Sequence, residues 1–165
     1  MSGILHGRHA AEIDGDFVVF LIGARLNLRH PVRAFRDLGG LRNGMAAMLK
    51  KLSADPASGL LGFHGHGTTI VQYWRSFEHL EAFANDKADL HRPTWIEYYR
   101  RAARHEGTGI WHETYLVKAG QYEAVYHNMP EFGLGAAART VPLAGSSTSR
   151  SRIGAGPAQK PSLRS

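Results

Sequence analysis

Between Gly109 and Val117, and again between Gln121 and Pro130, the sequence carries His112, Glu113, Tyr115, Glu123, Tyr126 and His127 through stretches that otherwise read as buried strand. Polar groups threaded through a strand have to be satisfied by partners or put to use, because burying them unpaired is costly. On an extended chain Ile110, His112, Thr114 and Leu116 point one way, and Trp111, Glu113, Tyr115 and Val117 point the other. His112 and Glu113 therefore enter one pocket only if a bulge intervenes. A neutral imidazole at position 112 is able to take a proton from an activated phenol or enol, donate to an oxyanion, or ligate haem iron. A hydrogen-bonded core histidine is the competing role. For Glu113 the simpler role is an ion pair or hydrogen bond to a strand neighbour.

His127, followed by Asn128-Met-Pro, falls at a strand end and is the second candidate base or, if haem is bound, iron ligand. His64 and His66 share one face of their strand and would need a third ligand to hold a metal. Exposed histidines on a hairpin rim explain that pair more simply. Arg75, next to Tyr73 and Trp74, is able to orient a carboxylate, stabilise an enolate or peroxide anion, or hold a haem propionate. Its structural alternative is a salt bridge to Glu78. Trp95, Tyr98 and Tyr99 recur at helical spacing, a stripe that serves a core and equally suits an aromatic substrate. The candidate catalytic set is thus His112, His127, Arg75 and Glu113. The candidate substrate-binding set is Tyr73, Trp74, Trp95, Tyr99, Trp111 and Tyr115.

The elements that must position these groups follow a legible order. Phe17-Val-Val-Phe-Leu-Ile-Gly-Ala-Arg-Leu is a near-continuous apolar run, rich in β-branched and aromatic residues, that predicts a strand buried on both faces. Pro31 suits the first turn of a helix in which Val32, Phe35, Leu38, Leu41, Met45, Met48 and Leu52 keep helical spacing, although Gly39, Gly40 and Gly44 are able to break it. Residues 60–66 and 68–75 flank a glycine turn as a hairpin. Ser76 caps a helix beginning at Phe77, a second helix starts near Pro93, and strands follow over 109–117 and 122–127. Strand, helix, two strands, helix, strand is the order of a ferredoxin-like α+β unit with helices on one face of an antiparallel sheet. Packing of the bare sheet face against a second copy predicts a homodimer.

Composition bounds the rest. A chain of 165 residues with 43% apolar content has material for one domain, read here as 15–143, with an N-terminal arm over 1–14 and a tail over 144–165. The tail is rich in Ser, Gly and Pro, so it is expected to be disordered. It holds Arg150, Arg152, Lys160 and Arg164 without an acid, which accounts for four of the six net positive charges. The domain itself is nearly balanced, and the tail lacks aromatic stacking residues, so no specific nucleic-acid partner is expected. Absence of cysteine excludes a disulfide framework and a thiol nucleophile. With no secretory core near Met1 and no apolar run near the length of a membrane span, a soluble cytoplasmic protein is expected. Neither a nucleotide-phosphate loop, nor a dinucleotide fingerprint, nor a serine nucleophile elbow occurs.

The strings Gln72-Tyr-Trp-Arg-Ser-Phe-Glu-His-Leu-Glu-Ala-Phe-Ala, Trp95-Ile-Glu-Tyr-Tyr, Gly109-Ile-Trp-His-Glu-Thr-Tyr and Tyr122-Glu-Ala-Val-Tyr-His-Asn-Met-Pro, with Gly133-Leu-Gly, resemble the dimeric α+β barrel superfamily over roughly residues 15–143. More narrowly they resemble the monooxygenase group typified by a fumagillin-pathway oxygenase. The resemblance implies a pocket between sheet and helices for a small or polyketide-like substrate such as a secondary metabolite, and quinone-forming oxygenases of this kind work without a cofactor. Other superfamily members bind haem b, which implies the alternative of an aldoxime dehydratase-like or peroxide-handling enzyme with His112 or His127 on iron. A non-catalytic dimeric ligand-binding protein is the third reading.

Overall fold

A computed structural model describes residues 3–38, 44–85, 91–102, 107–143 and 148–153. The apolar run becomes β2 (Phe17–Leu26), preceded by β1 (Leu5–Glu12). Then come α1 (Pro31–Asp37) and α2 (Met45–Ala54), which divide the single long helix suggested by the apolar spacing. A 3-10 turn (Pro56–Ser58) leads into the hairpin β3 (Leu60–His66) and β4 (Thr69–Trp74). Helices α3 (Phe77–Asn85) and α4 (His91–Ala102) precede β5 (Thr108–Val117). The chain continues through β6 (Val125–Met129), α5 (Leu134–Ala137), β7 (Arg139–Pro142) and α6 (Ser149–Arg152).

Four strands form an antiparallel sheet in the order β3-β4-β2-β5, the ferredoxin-like arrangement. β2 lies inside it, pairing Ile22 with Ile70 on one side and with His112 on the other, which explains why its sequence is apolar on both faces. One face carries Val18, Met48, Leu52, Trp74, Leu80 and Phe83, where α2 and α3 pack. Trp74 is fully buried, its ring stacked at 5.6 Å on Phe83, and its indole N–H donates to Gln72 Oε1 at 3.0 Å. Gln72 is itself buried, and its amide donates in turn to Met45 Sδ at 3.7 Å. An otherwise costly buried amide is thereby satisfied.

The expected N-terminal arm is a strand instead. β1 is the centre of a second sheet, β6-β1-β7, with Ala10 paired to both Val125 and Val141. Its sequence, Leu-His-Gly-Arg-His-Ala-Ala-Glu, has no clear apolar alternation, so the strand is set by its partners. The segment expected over 122–127, as an extension of the preceding strand or a short strand of its own, is the separate strand β6 of this second sheet. Ala11, Ile13, Phe17 and Leu134 form its core with Val19, Leu61, Tyr73 and Val117, and so cover one end of the four-stranded sheet's second face. Along the edge strand β5 on that face Trp111 and Tyr115 stay exposed.

Most of the expected disordered tail, 144–147 and 154–165, lies outside the described residues. Within 148–153, Arg152 on α6 donates through Nε to Glu123 Oε1 at 2.9 Å. No described helix is long and apolar enough to cross a membrane.

Candidate functional site

Side chains on the helix-bearing face of β2 are large at Val18, Phe20 and Ile22 and then fall to Ala24, next to Gly23. That loss of volume leaves a pocket of about 290 Å³ between the sheet and the helices. The sheet supplies Ile22, Gly23, Ala24, Leu26, Ile70 and Ile110, the β3-β4 turn supplies Gly67 and Thr68, and the helices supply Phe35, Met45, Met48, Trp95 and Tyr98. Its size is just below the usual range for ligand sites, roughly 300–1,000 Å³. Among these residues no side chain is ionisable at neutral pH. Tyr98 is buried and its hydroxyl points at the Thr108 carbonyl, 3.5 Å away, which leaves the ring to form the wall.

His112 pairs across the sheet with Ile22 and sits on the same face as Ile110, one step along β5 from the pocket wall. Its ring lies 5.6 Å from Phe20 and the residue is exposed. A two-residue step on a strand is about 7 Å, so His112 stands beside the pocket and outside its lining. Glu113 is on the opposite face, where it accepts a hydrogen bond from the Tyr115 hydroxyl at 2.6 Å. The strand alternation thus separates His112 from Glu113, with no bulge between them. The Glu113 carboxylate beside it raises the Tyr115 hydroxyl pKa.

The remaining sequence candidates are dispersed. His127 is exposed on β6 in the other sheet, paired with Arg8. Arg75 stands at the far end of β4, donating through Nη1 to the Asp14 carbonyl at 2.9 Å. The Glu78 carboxyl is lowered chiefly by its hydrogen bond with the Ser76 hydroxyl. Trp74 is core behind the pocket, and Tyr99 is 62% exposed beyond it. Of the ten candidates, Trp95 lines the pocket and His112 adjoins it.

Tyr73 points to the other face and joins His64 and Tyr126 around Gly133. A Cβ at Gly133, whose φ is +58°, would lie 3.3 Å from the Tyr73 hydroxyl and 3.7 Å from His64 Cε1. The Gly135 N–H donates to the Tyr126 hydroxyl at 2.9 Å. Burial raises the pKa of both tyrosines, and burial followed by the charge of His66 lowers that of His64. His64 and His66 face the same side, and no cluster of three metal-ligating side chains occurs among the described residues.

Haem would require an axial ligand, and proximal histidine is the commonest donor for such chemistry. No described histidine lines the pocket; of the two expected iron ligands His112 stands beside it and His127 lies in the other sheet.

Architecture and pocket together define a ferredoxin-like α+β protein with an apolar site under its helices. Residues 17–134 match the monooxygenase af470-like family, and the chain belongs to it. It is 31% identical over 158 residues to monooxygenase af470 of Aspergillus fumigatus, an alignment covering 82% of this chain and 55% of that protein. The chain thus spans about half the length of that curated relative. The fold is similar to the crystal structure of an aldoxime dehydratase in complex with butyraldoxime, with a TM-score of 0.56 and 15% identity over 90% of this chain and 43% of the other.

Proposed function

We propose that the protein is a monooxygenase-like enzyme acting on a small organic substrate held in the pocket between the sheet and the helices. The observation that carries this reading is the apolar pocket walled by Ile22, Ala24, Ile70 and Trp95, with a histidine base on the same sheet face one step away. The family supports the reaction class. His112 takes a proton from a phenol or enol whose ring lies over Ile110, and the electron-rich anion reduces dioxygen directly. For a substrate methylene, one oxygen atom enters as a carbonyl and the other leaves as water with the two hydrogens lost from carbon. Such chemistry needs no haem. A second copy covers the exposed Trp111 and Tyr115 face and makes the protein a homodimer.

Oxygen uptake with electron-rich phenols and enols, measured on protein that shows no Soret band, tests this reading. Uptake is expected to disappear in Ala24→Trp, which fills the pocket, and to fall about 10²–10⁴-fold in His112→Ala. Uptake retained by both variants would overturn the assignment. Tight ligand binding without uptake would favour a non-catalytic binding protein.

A further inference from the structure

The chemistry of the lining restricts what the pocket accepts. Among the described lining residues the side-chain polar atoms are the hydroxyls of Thr68 and Tyr98 and the indole N–H of Trp95, set among aliphatic walls. An ion brought into such a lining loses its water and finds no opposite charge, whereas a neutral molecule keeps the full benefit of apolar contact.

Two described cations on α4 do not compensate. Arg100 and Arg101 on α4 both pair with Glu97, at 2.7 and 2.6 Å. Arg101 also donates to the Arg36 carbonyl at 2.8 Å. Arg101 thereby ties α4 to α1; Glu97 offsets one of the two positive charges, and both guanidiniums stand outside the lining, partly exposed to solvent that screens the other. Phe35, an exposed residue of α1 that also lines the pocket, stands at its edge.

We infer that the pocket selects an uncharged, predominantly apolar molecule and discriminates against both carboxylates and amines of the same skeleton. The inference rests on the reading of this pocket as the substrate site and specifies its substrate class. A phenol or enol satisfies it, because such a group enters neutral and becomes an anion only where His112 adjoins the pocket.

Octan-1-ol, octanoate and octylammonium share one tail and differ in charge, so they isolate the effect. Each is titrated at pH 7 against the protein carrying the neutral dye N-phenyl-1-naphthylamine, with displacement read by dye fluorescence. Octan-1-ol is expected to displace the dye at a concentration at least ten-fold lower than either ion. The Ala24→Trp and the milder Ala24→Leu variants, checked for native melting, are expected to weaken dye binding, and Val125→Ala, at an exposed position of the second sheet, is expected to leave it unchanged. Displacement by octanoate or octylammonium as effective as by octan-1-ol would overturn the inference, as would dye binding indifferent to both Ala24 variants. If neutral ligands bind at Ala24 and oxygen uptake ignores the same variants, the selectivity stands and the catalytic reading of the pocket falls.

Discussion

The indole of Trp111 lies across the backbone of Gly23, its cross-strand partner, so closely that a Cβ at Gly23 would sit 2.5 Å from the Trp111 ring atoms Cε2 and Nε1. Gly23 is also part of the pocket wall, so one residue separates the pocket from the opposite face of the sheet.

Gly23→Ala must push the Trp111 ring aside. Overpacking of this kind costs about 1–3 kcal/mol. The loss is expected to shrink in a Trp111→Ala background, a non-additivity that a double-mutant cycle in denaturant measures directly. Equal losses in both backgrounds would mean that the ring does not occupy the space over Gly23.

His64 makes stability depend on pH in the weakly acidic range. Burial, with the nearby His66 charge second, lowers its pKa, and Nδ1 is buried without a hydrogen-bond partner among the described residues. The unfolded chain takes up this proton more readily than the folded one near pH 6.5 and below. The stabilisation from keeping His64 neutral is therefore complete above about 6.5 and is lost as pH falls through the lower folded value. Melting temperatures between pH 7.5 and 5 are expected to fall less steeply in His64→Phe, which keeps a ring against Phe132, whose centroid lies 4.4 Å from that of His64. Identical slopes would contradict the assignment.

Tyr126 ties β6 to the turn at Gly133 through the hydrogen bond it accepts from Gly135. Tyr126→Phe removes the acceptor and is expected to cost about 1 kcal/mol. A change within about 0.3 kcal/mol in chemical denaturation would show that water replaces the hydroxyl without loss.

Strong patterns in the sequence were enough to place the ferredoxin-like elements, because β2 is a continuous apolar run and Pro31, Ser76 and the glycine turn at 67 carry local signals. β1 and β7 escaped because their residues have no pattern of their own and acquire strand structure by pairing. The separation of His112 from Glu113 follows from strand alternation alone. The pocket was harder to read, since its walls are ordinary core residues such as Ile22, Ile70 and Ile110. The available signal was the drop from Phe20 and Ile22 to Gly23 and Ala24 on a strand otherwise filled with large side chains. Arg75 and His127 suit chemistry by residue type alone; Arg75 stands at the end of β4 held to the Asp14 carbonyl, and His127 lies in the other sheet, so both stand apart from the pocket.

The exposed edge of the second sheet face bears on assembly. Trp111 and Tyr115 are 41% and 51% exposed there, beside the partly buried Leu21 and Val71. Light scattering is expected to give about twice the 18.2 kDa chain mass, and Tyr115→Lys is expected to shift the population toward the monomer. A monomeric wild type at micromolar concentration would exclude this face as a stable self-interface.

The most direct test of the central claim is a crystal structure with 1-naphthol bound. The account predicts the ring system between Ala24, Ile70 and Trp95, with its hydroxyl turned along β5 toward His112. Naphthol seated against Trp111 and Tyr115 on the opposite sheet face, with the pocket under the helices left vacant, would contradict it.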